Sequence, residues 1–537
     1  MVESRELQRW FAEHIKEKNR PYFLDKYQAK VIADEHKNTI VTARAGSGKT
    51  RTLVAKIIYL IAYKQIPPDK IITFAFNRKA RAEINERLSK ITYDNKPIIS
   101  GTSQIASTFH AFSYQLLGGK KEIGNKLISE EQQAKVISGI IKNIKIPENL
   151  FGSDYTKLKE VAIQFITRAE QQFFQDYNKL LDAINRKTKE IAKDHTTTQQ
   201  IRTTYRKQMI LYNVFLKYQG RLKSQGLVNY NQMVANAASL ISANDSNIPK
   251  YQYILVDEYQ DFSLLFLNLI LALRSVCPDA RLLCVGDDWQ AINRFAGSNV
   301  EYFHNFNKYF PEDNVKLFIP SNYRSGKLIV KNANYFMAKA LKDYSGCKTG
   351  NRQKSNIYIK NIASNLISHS KLPISIENYL QASLDIIKHN PEKTIMILDR
   401  NNNLNISDWT LKRFVDLLKQ AATKNHIIDK ARADALISYS TIHRSKGLES
   451  DIVILLEIDA EKFPSKDKTN GLYDIFGDTT KSLFQDEVRL FYVAITRPKE
   501  KLYILSKTTN IIRNRKAPDK SKYNFFSYLN DNWLTNF

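Results

Sequence analysis

The sequence has few cysteines and no apolar run long enough to cross a membrane. Three cysteines occur among 537 residues, Cys277, Cys284 and Cys347, and none of them forms a CxxC pair. This spacing predicts neither a zinc site nor a disulfide framework, and it fits a reducing cytoplasm. The N-terminal stretch is charged throughout and lacks the apolar core of a signal peptide. The most apolar run, LLFLNLILAL from Leu264, is about half as long as a bilayer span requires, so we expect a buried helix and no membrane partner.

Acidic residues are scarce relative to basic ones. The chain has 81 Lys and Arg against 54 Asp and Glu, which gives a formal net charge of +27. This excess favours a polyanionic partner, of which nucleic acid is the commonest. A generally basic surface without a specific partner is the alternative. The composition is otherwise that of a globular protein, and the length suggests roughly three or four domains.

One glycine-containing segment has the pattern of a phosphate-binding loop. NTIVTARAGSGKTRTLVAKIIYLIA, Asn38 to Ala62, reads as a strand, a tight turn and an amphipathic helix. The turn and the start of the helix consist of Ala45, Gly46, Ser47, Gly48, Lys49 and Thr50. Its backbone N–H groups and the helix dipole would hold phosphate, with Lys49 on the β- and γ-phosphates and the Thr50 hydroxyl on Mg²⁺. Ala43 departs from the first Gly of the usual pattern, but the strand–loop–helix context supports the assignment.

A second strand ends in carboxylates. YILVDEYQDFS, Tyr253 to Ser263, begins as an apolar strand and continues into Asp257 and Glu258. A phosphate-binding loop needs a second strand whose carboxylate holds Mg²⁺ and a group that activates water. Asp257 fits the metal role and Glu258 fits the water role, so the two stretches together predict an ATPase site.

The sequence DEYQD, with AGSGKT upstream, resembles the superfamily 1 helicases of the UvrD/Rep type. Further stretches resemble that family's motifs in the same order and extend the resemblance from Leu24 to Leu502. They are LDKYQAKVI, TFAFNRKARAEINERL, STFHAFSYQLL, VGDDWQAINRFAGS, SNYRS, STIHRSKGLESDIVIL and DEVRLFYVAITRPKEKL. The motif sequences AFNRKA, TFHAF and GDDWQAI are similar to those of the helicase IV branch of the family.

The resemblance implies roles for residues around bound ATP. It makes Gln290 a sensor of the γ-phosphate and makes Arg324 and Arg497 arginine fingers from the opposite domain. Such an arginine accelerates related phosphoryl transfers by about 10³–10⁵. Together with Lys49, Asp257 and Glu258, these residues form the predicted catalytic set.

The resemblance also implies contacts with the nucleoside. Gln28 would read the adenine, and Arg51 and Tyr323 would enclose the ring from opposite faces. Glu449 is assigned to the ribose or to the water network. ATP and Mg²⁺ are thus the expected ligands.

Several residues are candidates for contact with single-stranded bases, where stacking contributes about 1–3 kcal/mol per base. Aromatic residues at strand ends are as often part of the core, and this alternative stays open for each ring. These candidates are Phe76, Phe109, His110 and Trp289, and Arg294 and His443 are expected as further DNA-binding residues. Arg294 stands just before Phe295 and Ala296, which occupy the place of a Trp-Arg pair in the family pattern.

The expected fold class is α/β, with two RecA-like P-loop NTPase domains whose parallel sheets are flanked by helices. The first domain is expected to use residues 1–130 and 226–311, with a helical insertion at 131–225. The second is expected to use 312–403 and 436–537, with residues 404–435 as the remnant of a duplex-contacting domain called 2B in the family. A basic run at 513–522, RNRKAPDKSK, reads as a solvated tail or as a phosphate contact.

The motifs predict an ATP-driven motor that moves along single-stranded or tailed duplex DNA, and the resemblance implies 3′→5′ polarity. One alternative is an RNA-directed motor, since stacking does not distinguish the two sugars. Another is a nucleotide-gated subunit with weak unwinding of its own, for example beside a nuclease partner in an anti-phage defence system. DNA repair is the other setting expected for such a motor.

Overall fold

The structure is a computed structural model of the chain. It describes residues 3–99, 104–144, 146–151, 155–173, 176–191, 198–243, 248–350, 355–361, 372–404, 406–456, 471–506, 529 and 534–536. The basic run at 513–522 lies outside these residues. Among the described helices, none combines the length and the apolar composition that a bilayer span requires.

The chain divides into two compact units. The first consists of Met1–Thr42, Lys49–Phe318 and Lys468–Ser482, and the second of Ala43–Gly48, Ile319–Asp467 and Leu483–Phe537. The helical insertion therefore groups with the first sheet. Two short segments do not follow the predicted domain boundaries. The phosphate loop belongs to the second unit, and the stretch that starts at Lys468 belongs to the first.

The first unit is built on a six-stranded sheet. Its strand order is β10-β3-β9-β8-β4-β7, and the pairings from β3 to β7 are all parallel. The strands are β3 (Asn38–Ala43), β4 (Ile71–Ala75), β7 (Ala106–Thr108), β8 (Tyr253–Val256), β9 (Arg281–Gly286) and β10 (Asn314–Ile319). Strands β3, β4 and β8 are buried along their whole length, because helices cover both faces of the sheet.

A smaller antiparallel sheet lies near the N-terminus of the first unit. It contains β1 (Ile15–Glu17), β2 (Arg20–Pro21), β5 (Ile91–Tyr93) and β6 (Lys96–Pro97). The helices that belong to the two sheets are α1 (Ser4–His14), α2 (Lys26–Ile32), α3 (Lys49–Ile58), α4 (Arg78–Ser89), α5 (Phe109–Leu116), α6 (Gly119–Glu122), α12 (Tyr230–Ser242), α13 (Leu264–Val276), α14 (Glu301–His304) and α15 (Phe306–Tyr309). The apolar run from Leu264 forms α13 and packs into the core, as its composition predicted.

The insertion is helical. It consists of α7 (Glu130–Lys142), α8 (Glu148–Phe151), α9 (Tyr155–Phe173), α10 (Tyr177–Ile191) and α11 (Thr198–Ser224). Ser129 and Gln132 form a reciprocal capping box at the start of α7, which satisfies backbone donors that the first helical turn leaves unpaired. Apolar residues at helical spacing build a core of its own, centred on Phe165, Ile166 and Phe215.

The second unit has a sheet in which every pairing is parallel. Its order is β15-β14-β16-β17-β13-β18. The strands of this unit are β11 (Ser321–Asn322), β12 (Lys348–Thr349), β13 (Asn356–Asn361), β14 (Ile395–Asp399), β15 (Ile437–Thr441), β16 (Ser450–Leu456), β17 (Pro498–Ser506) and β18 (Leu534–Asn536). Its helices are α16 (Lys327–Leu341), α17 (Ile374–Lys388), α18 (Leu411–Lys424), α19 (Lys430–Leu436) and α20 (Thr480–Ile495). Both units thus have the α/β architecture that the sequence predicted.

The region predicted as a 2B remnant contains two helices, α18 and α19. Thr410 and Asp429 accept hydrogen bonds from backbone N–H groups in the first turns of these helices. Leu411, Phe414 and Leu418 are fully buried in the same core as the sheet of the second unit. These helices are therefore part of the RecA-like layer and do not form a separate core.

Candidate nucleotide site and nucleic-acid contacts

Strand order brings the hydrolytic residues of the first unit to one edge. Strand β9 lies between β3 and β8, and all three run in the same direction. The carboxyl ends of parallel strands meet at one edge of a sheet, which is where α/β proteins bind ligands. Asp257 follows β8, Asp287 follows β9, and Lys49 begins α3 after the loop that leaves β3. The two predicted motifs, distant in sequence, are therefore neighbours in space.

Asp257 is buried, whereas the neighbouring Glu258 is half-buried. Burial raises the pKa of Asp257, the adjacent charge of Glu258 raises it further, and Lys49 opposes both effects. The Glu258 backbone N–H donates to Asp257 Oδ1 at 2.9 Å. Glu258 has a left-handed backbone with φ of 53°, an uncommon conformation for a residue with a side chain. Such local strain is typical of functional positions.

A chain of side-chain hydrogen bonds leads from Glu258 to Gln290. The Gln260 amide donates to the Glu258 carboxylate, and its Oε1 accepts from the Asp287 N–H at 2.8 Å. Asp287 Oδ2 in turn accepts from Gln290 Nε2 at 2.5 Å. Gln260, Asp287 and Gln290 are buried. We call this chain the carboxylate–glutamine relay, and sequence reasoning identified its two ends but neither Gln260 nor Asp287.

The phosphate loop adopts the conformation that its glycines predicted. Gly46 and Gly48 have φ of 75° and 83°, values that residues with side chains rarely adopt. The loop also makes contacts within the second unit: Tyr323 N–H donates to Gly46 O at 2.7 Å, and Asn322 Nδ2 donates to Ala45 O at 2.6 Å. A Cβ placed on Gly46 would lie 2.7 Å from Arg324 Cβ. Sequence reasoning missed Asn322, although it stands beside two predicted residues.

The donor set fits Mg²⁺. Magnesium takes oxygen ligands and is usually held by one or two carboxylates, together with substrate phosphates and water. The first unit supplies the Thr50 hydroxyl at the start of α3 and the buried Asp257 carboxylate. Among the described residues, no group of three or more His, Cys, Asp or Glu side chains is placed to hold a metal ion. A cation held jointly by the protein and the nucleotide suits this composition better than one held by the protein alone.

The predicted adenine contacts of the first unit lie around α2 and α3. Gln28 is buried and shares a capping box with Asp25, in which Gln28 Oε1 accepts from the Asp25 N–H at 3.1 Å. Arg51 lies over the Tyr22 ring, 3.9 Å from its centroid, and pairs with Glu17 at 3.1 Å. Tyr22 is thus a neighbour of Arg51 that sequence reasoning missed.

The predicted arginine fingers have partners inside the second unit. Arg324 pairs with Glu449 at 2.8 Å, and Lys499 reaches the other oxygen of this carboxylate at 3.0 Å. Burial raises the pKa of Glu449, but the two cations outweigh that effect and the net shift is downward. Arg497 is buried and donates to the carbonyls of Val493 at 2.8 Å and Leu448 at 3.2 Å.

Two predicted base contacts are corrected by the structure. Phe109 is 2% exposed and stacks between Phe74 and Phe266, with centroid distances of 4.5 Å and 4.4 Å. Trp289 is 1% exposed. A base cannot stack on a ring that is enclosed in the core, so both residues serve packing in this conformation.

Other aromatic residues present a face to solvent. Phe295 is 51% exposed in the loop after β9, next to Arg294. Tyr230 is 36% exposed at the start of α12 and meets His110 edge to face at 5.9 Å. Burial and, to a lesser degree, Arg78 lower the pKa of His110, which favours a neutral imidazole. Phe76 is half-buried against the core. Tyr230 is a candidate that sequence reasoning missed, because no motif marks it.

His443 lies in the second unit, in the turn after β15. Burial lowers the pKa of His443 to about 4, with a smaller contribution from Arg400, so its imidazole is neutral at physiological pH. A neutral imidazole offers hydrogen bonds and a ring face but no positive charge to a phosphate. The neighbouring Arg444 is exposed and carries the charge in this turn.

The two α/β units, the phosphate loop and the carboxylate pair define a P-loop ATPase of the helicase class. Residues 24–311 match the UvrD/REP helicase N-terminal domain, and residues 407–509 match the UvrD-like helicase C-terminal domain. The chain belongs to the UvrD/Rep helicase family, whose members are ATP-dependent DNA helicases.

Curated relatives agree with the family model. DNA helicase IV of Escherichia coli K12 is 26% identical over 536 residues, which cover 92% of this chain and 71% of the relative. ATP-dependent DNA helicase PcrA of Staphylococcus aureus is 28% identical over 316 residues, 57% of this chain and 39% of PcrA. A probable DNA helicase II homolog of Mycoplasma capricolum is 26% identical over 391 residues, 71% of this chain and 49% of that protein. The chain thus aligns with less than half of the latter two relatives.

Proposed function

We propose that the protein is an ATP-driven translocase and helicase that moves 3′→5′ on single-stranded DNA and on the single-stranded tail of a duplex. The carboxylate–glutamine relay carries this proposal. It joins Glu258, the residue proposed to activate water, to Gln290, and the same loop continues within a few residues to the exposed Phe295. In this proposal, hydrogen bonds and a short stretch of chain connect the residues at the γ-phosphate to the ring of Phe295, which stacks on a base.

In the proposed reaction the chain positions ATP and water. Lys49 and the N–H groups of the phosphate loop bind the β- and γ-phosphates. Glu258 orients the attacking water and accepts its proton, and the amide of Gln260 holds the Glu258 carboxylate in place. Thr50 and Asp257 would hold Mg²⁺, which neutralises charge on the phosphates when bound.

Further residues complete the nucleotide site in this proposal. Gln290 contacts the γ-phosphate, while Arg324 and Arg497 stabilise the charge that develops on it. Gln28, Arg51 and Tyr323 bind the adenine. Glu449 pairs with the Arg324 guanidinium at 2.8 Å and orients it in this proposal.

DNA contacts are proposed for exposed rings and for one helix of the insertion. Phe295 and Tyr230 stack on bases, and Arg294 and Arg78 neutralise phosphates. Helix α11 has no carboxylate, and the cations Arg202, Arg206, Lys217, Arg221 and Lys223 are exposed along it. Such a helix suits a DNA backbone, because neutralising phosphates releases counterions. The net charge of +27 agrees with this partner.

A second candidate function is a nucleotide-gated subunit that unwinds DNA poorly unless a protein partner, such as a nuclease, assists it. The observation that favours it is the absence of a separate core in the described part of 404–435, where α18 and α19 pack into the second unit. A protein that lacks a duplex-contacting domain translocates without efficient strand separation. An RNA-directed motor is the remaining alternative.

The first experiment measures steady-state ATP hydrolysis with and without single-stranded DNA, and with RNA of the same sequence. We expect strong stimulation by DNA, weaker stimulation by RNA, and loss of hydrolysis in Glu258→Gln with retained ATP binding. Glu131→Gln, an exposed carboxylate on the insertion, is the matched control and keeps wild-type activity. Hydrolysis that ignores DNA, or that survives Glu258→Gln, contradicts the proposal.

Strand displacement then separates the two candidates. Duplexes with a 3′ tail or a 5′ tail are mixed with the protein and ATP under the same conditions. Displacement from the 3′-tailed duplex alone supports the helicase and its polarity. Stimulated hydrolysis without displacement of either duplex favours the partner-dependent subunit.

A further inference from the structure

A short segment from the C-terminal half of the chain is part of the first unit. Residues Gly471–Ser482, here named the strap, come after β16 and run into α20. In sequence the strap stands between the motif that contains Glu449 and the helix that leads to Arg497. No family motif includes it.

The strap is held by the insertion through apolar and backbone contacts. Leu472, Tyr473 and Phe476 are buried in the core of the insertion. The Phe476 ring meets Phe165 edge to face at a centroid distance of 5.3 Å. Gln208 Nε2 donates to Leu472 O at 3.0 Å. These three buried side chains make the strap part of the core of the insertion.

Arg168 of α9 forms a buried ion pair with the strap. It is fully buried, and its two terminal nitrogens donate to the two oxygens of Asp478 at 2.7 Å each. The guanidinium also lies over the rings of Phe476 and Tyr473, 4.8 Å and 5.3 Å from their centroids. A buried bidentate pair fixes both distance and orientation, and it leaves an unpaired buried charge if either partner is removed.

The same helix touches the loop that carries Phe295. A Cβ on Gly297 would lie 2.5 Å from Gln171 Cβ, so this glycine allows α9 and the loop to approach closely. Arg294 Nη1 donates to Gly477 O of the strap at 3.4 Å. Arg168 and Gln171 are three residues apart and therefore lie on one face of α9. Helix α9 thus holds the strap and the Phe295 loop side by side.

We propose that Arg168 is a positioning residue, which holds the strap against α9 and the Phe295 loop through Asp478. DNA binding by this loop is then transmitted through the strap to α20 and accelerates ATP hydrolysis. The inference rests on the proposed function. Arg168 is fully buried on α9, and its proposed role is to couple two sites. The coupling travels along the strap itself, because α20 begins within it at Thr480.

The test compares hydrolysis with and without single-stranded DNA in Arg168→Met and Asp478→Asn. We expect basal hydrolysis and the KM for ATP to stay within about twofold of wild type, while stimulation by saturating DNA falls by about tenfold or more. Arg186→Met, an exposed arginine on α10 of the same insertion, is the matched control and keeps full stimulation. Arg168→Lys keeps the charge but not the bidentate geometry, and it should restore part of the stimulation.

Hydrogen exchange of the strap is measured in each variant, so that loss of the contact is seen directly. If Arg168→Met does not fold, the test relies on Asp478→Asn. This substitution preserves the size of the side chain and places an amide next to the Arg168 guanidinium. Full stimulation in a variant whose strap exchanges faster than wild type overturns the inference. So does a parallel loss of basal and stimulated hydrolysis, which indicates a purely structural role. A wild-type protein that DNA does not stimulate instead overturns the proposed function.

Discussion

Replacing Phe295 with alanine tests whether the exposed ring after β9 is the base-stacking residue. Base–aromatic stacking contributes about 1–3 kcal/mol, and about 1.4 kcal/mol corresponds to a tenfold change in affinity. The Kd for single-stranded DNA should therefore rise by about 5- to 150-fold. Since Phe295 is 51% exposed, its truncation removes little buried surface, and we expect the free energy of unfolding to change by about 1 kcal/mol or less.

Fluorescence anisotropy of a labelled oligonucleotide measures the Kd of Phe295→Ala. The DNA concentration that gives half-maximal ATPase stimulation should rise by the same factor. Tyr344→Ala is the matched control, because Tyr344 is 82% exposed and lies outside the predicted DNA contacts. An unchanged Kd for Phe295→Ala, or an equal loss in the control, would refute the stacking assignment.

Three further predictions follow from burial and charge. Phe109→Ala should lower the free energy of unfolding by about 3–5 kcal/mol in denaturant titrations, as expected for a buried Phe; a loss of DNA affinity at unchanged stability would restore it as a base contact. Arg202→Gln with Arg206→Gln should make the plot of log K against log salt shallower by about 0.7 per lost phosphate contact on single strands, and an unchanged slope excludes α11 from the DNA path. The pKa of His443 is lowered to about 4, so below about pH 6.5 the unfolded chain binds a proton that the folded chain does not, and stability falls as pH decreases toward 4. His443→Gln should make the free energy of unfolding depend less on pH between the two pKa values, about 4 and about 6.5. The same pH dependence in His443→Gln and in the wild type would rule out the lowered pKa.

The local fold of the phosphate loop and of the strand before Asp257 was predictable because each is encoded in contiguous residues. A strand, a glycine turn and a helix start are contiguous, and the positive φ angles of Gly46 and Gly48 are those that the pattern requires. The strand before Asp257 is apolar along its length because both faces of the sheet are covered. The resemblance to UvrD/Rep helicases, which the family model confirms, extended this prediction to Arg324 and Arg497.

The interior of the site was less predictable. Gln260 and Asp287 belong to quoted motifs, yet nothing in their spacing shows that they hydrogen-bond to each other. Their meeting depends on β8 and β9 being neighbours in the sheet, which is a property of strand order. Asn322 was missed for the same reason, since its hydrogen-bond partner Ala45 is distant in sequence.

The sequence by itself determined the family and the α/β class of the two units, and it predicted which residues bind ATP. Only the tertiary structure decided which aromatic rings face solvent, because Phe109 stacks between Phe74 and Phe266 whereas Phe295 is 51% exposed. It also decided that the strap, including Asp478, packs on Arg168 of the insertion. The physical reason is that each motif consists of contiguous residues and can be recognised in the sequence. Burial and ion pairing depend on segments that meet only after the chain has folded.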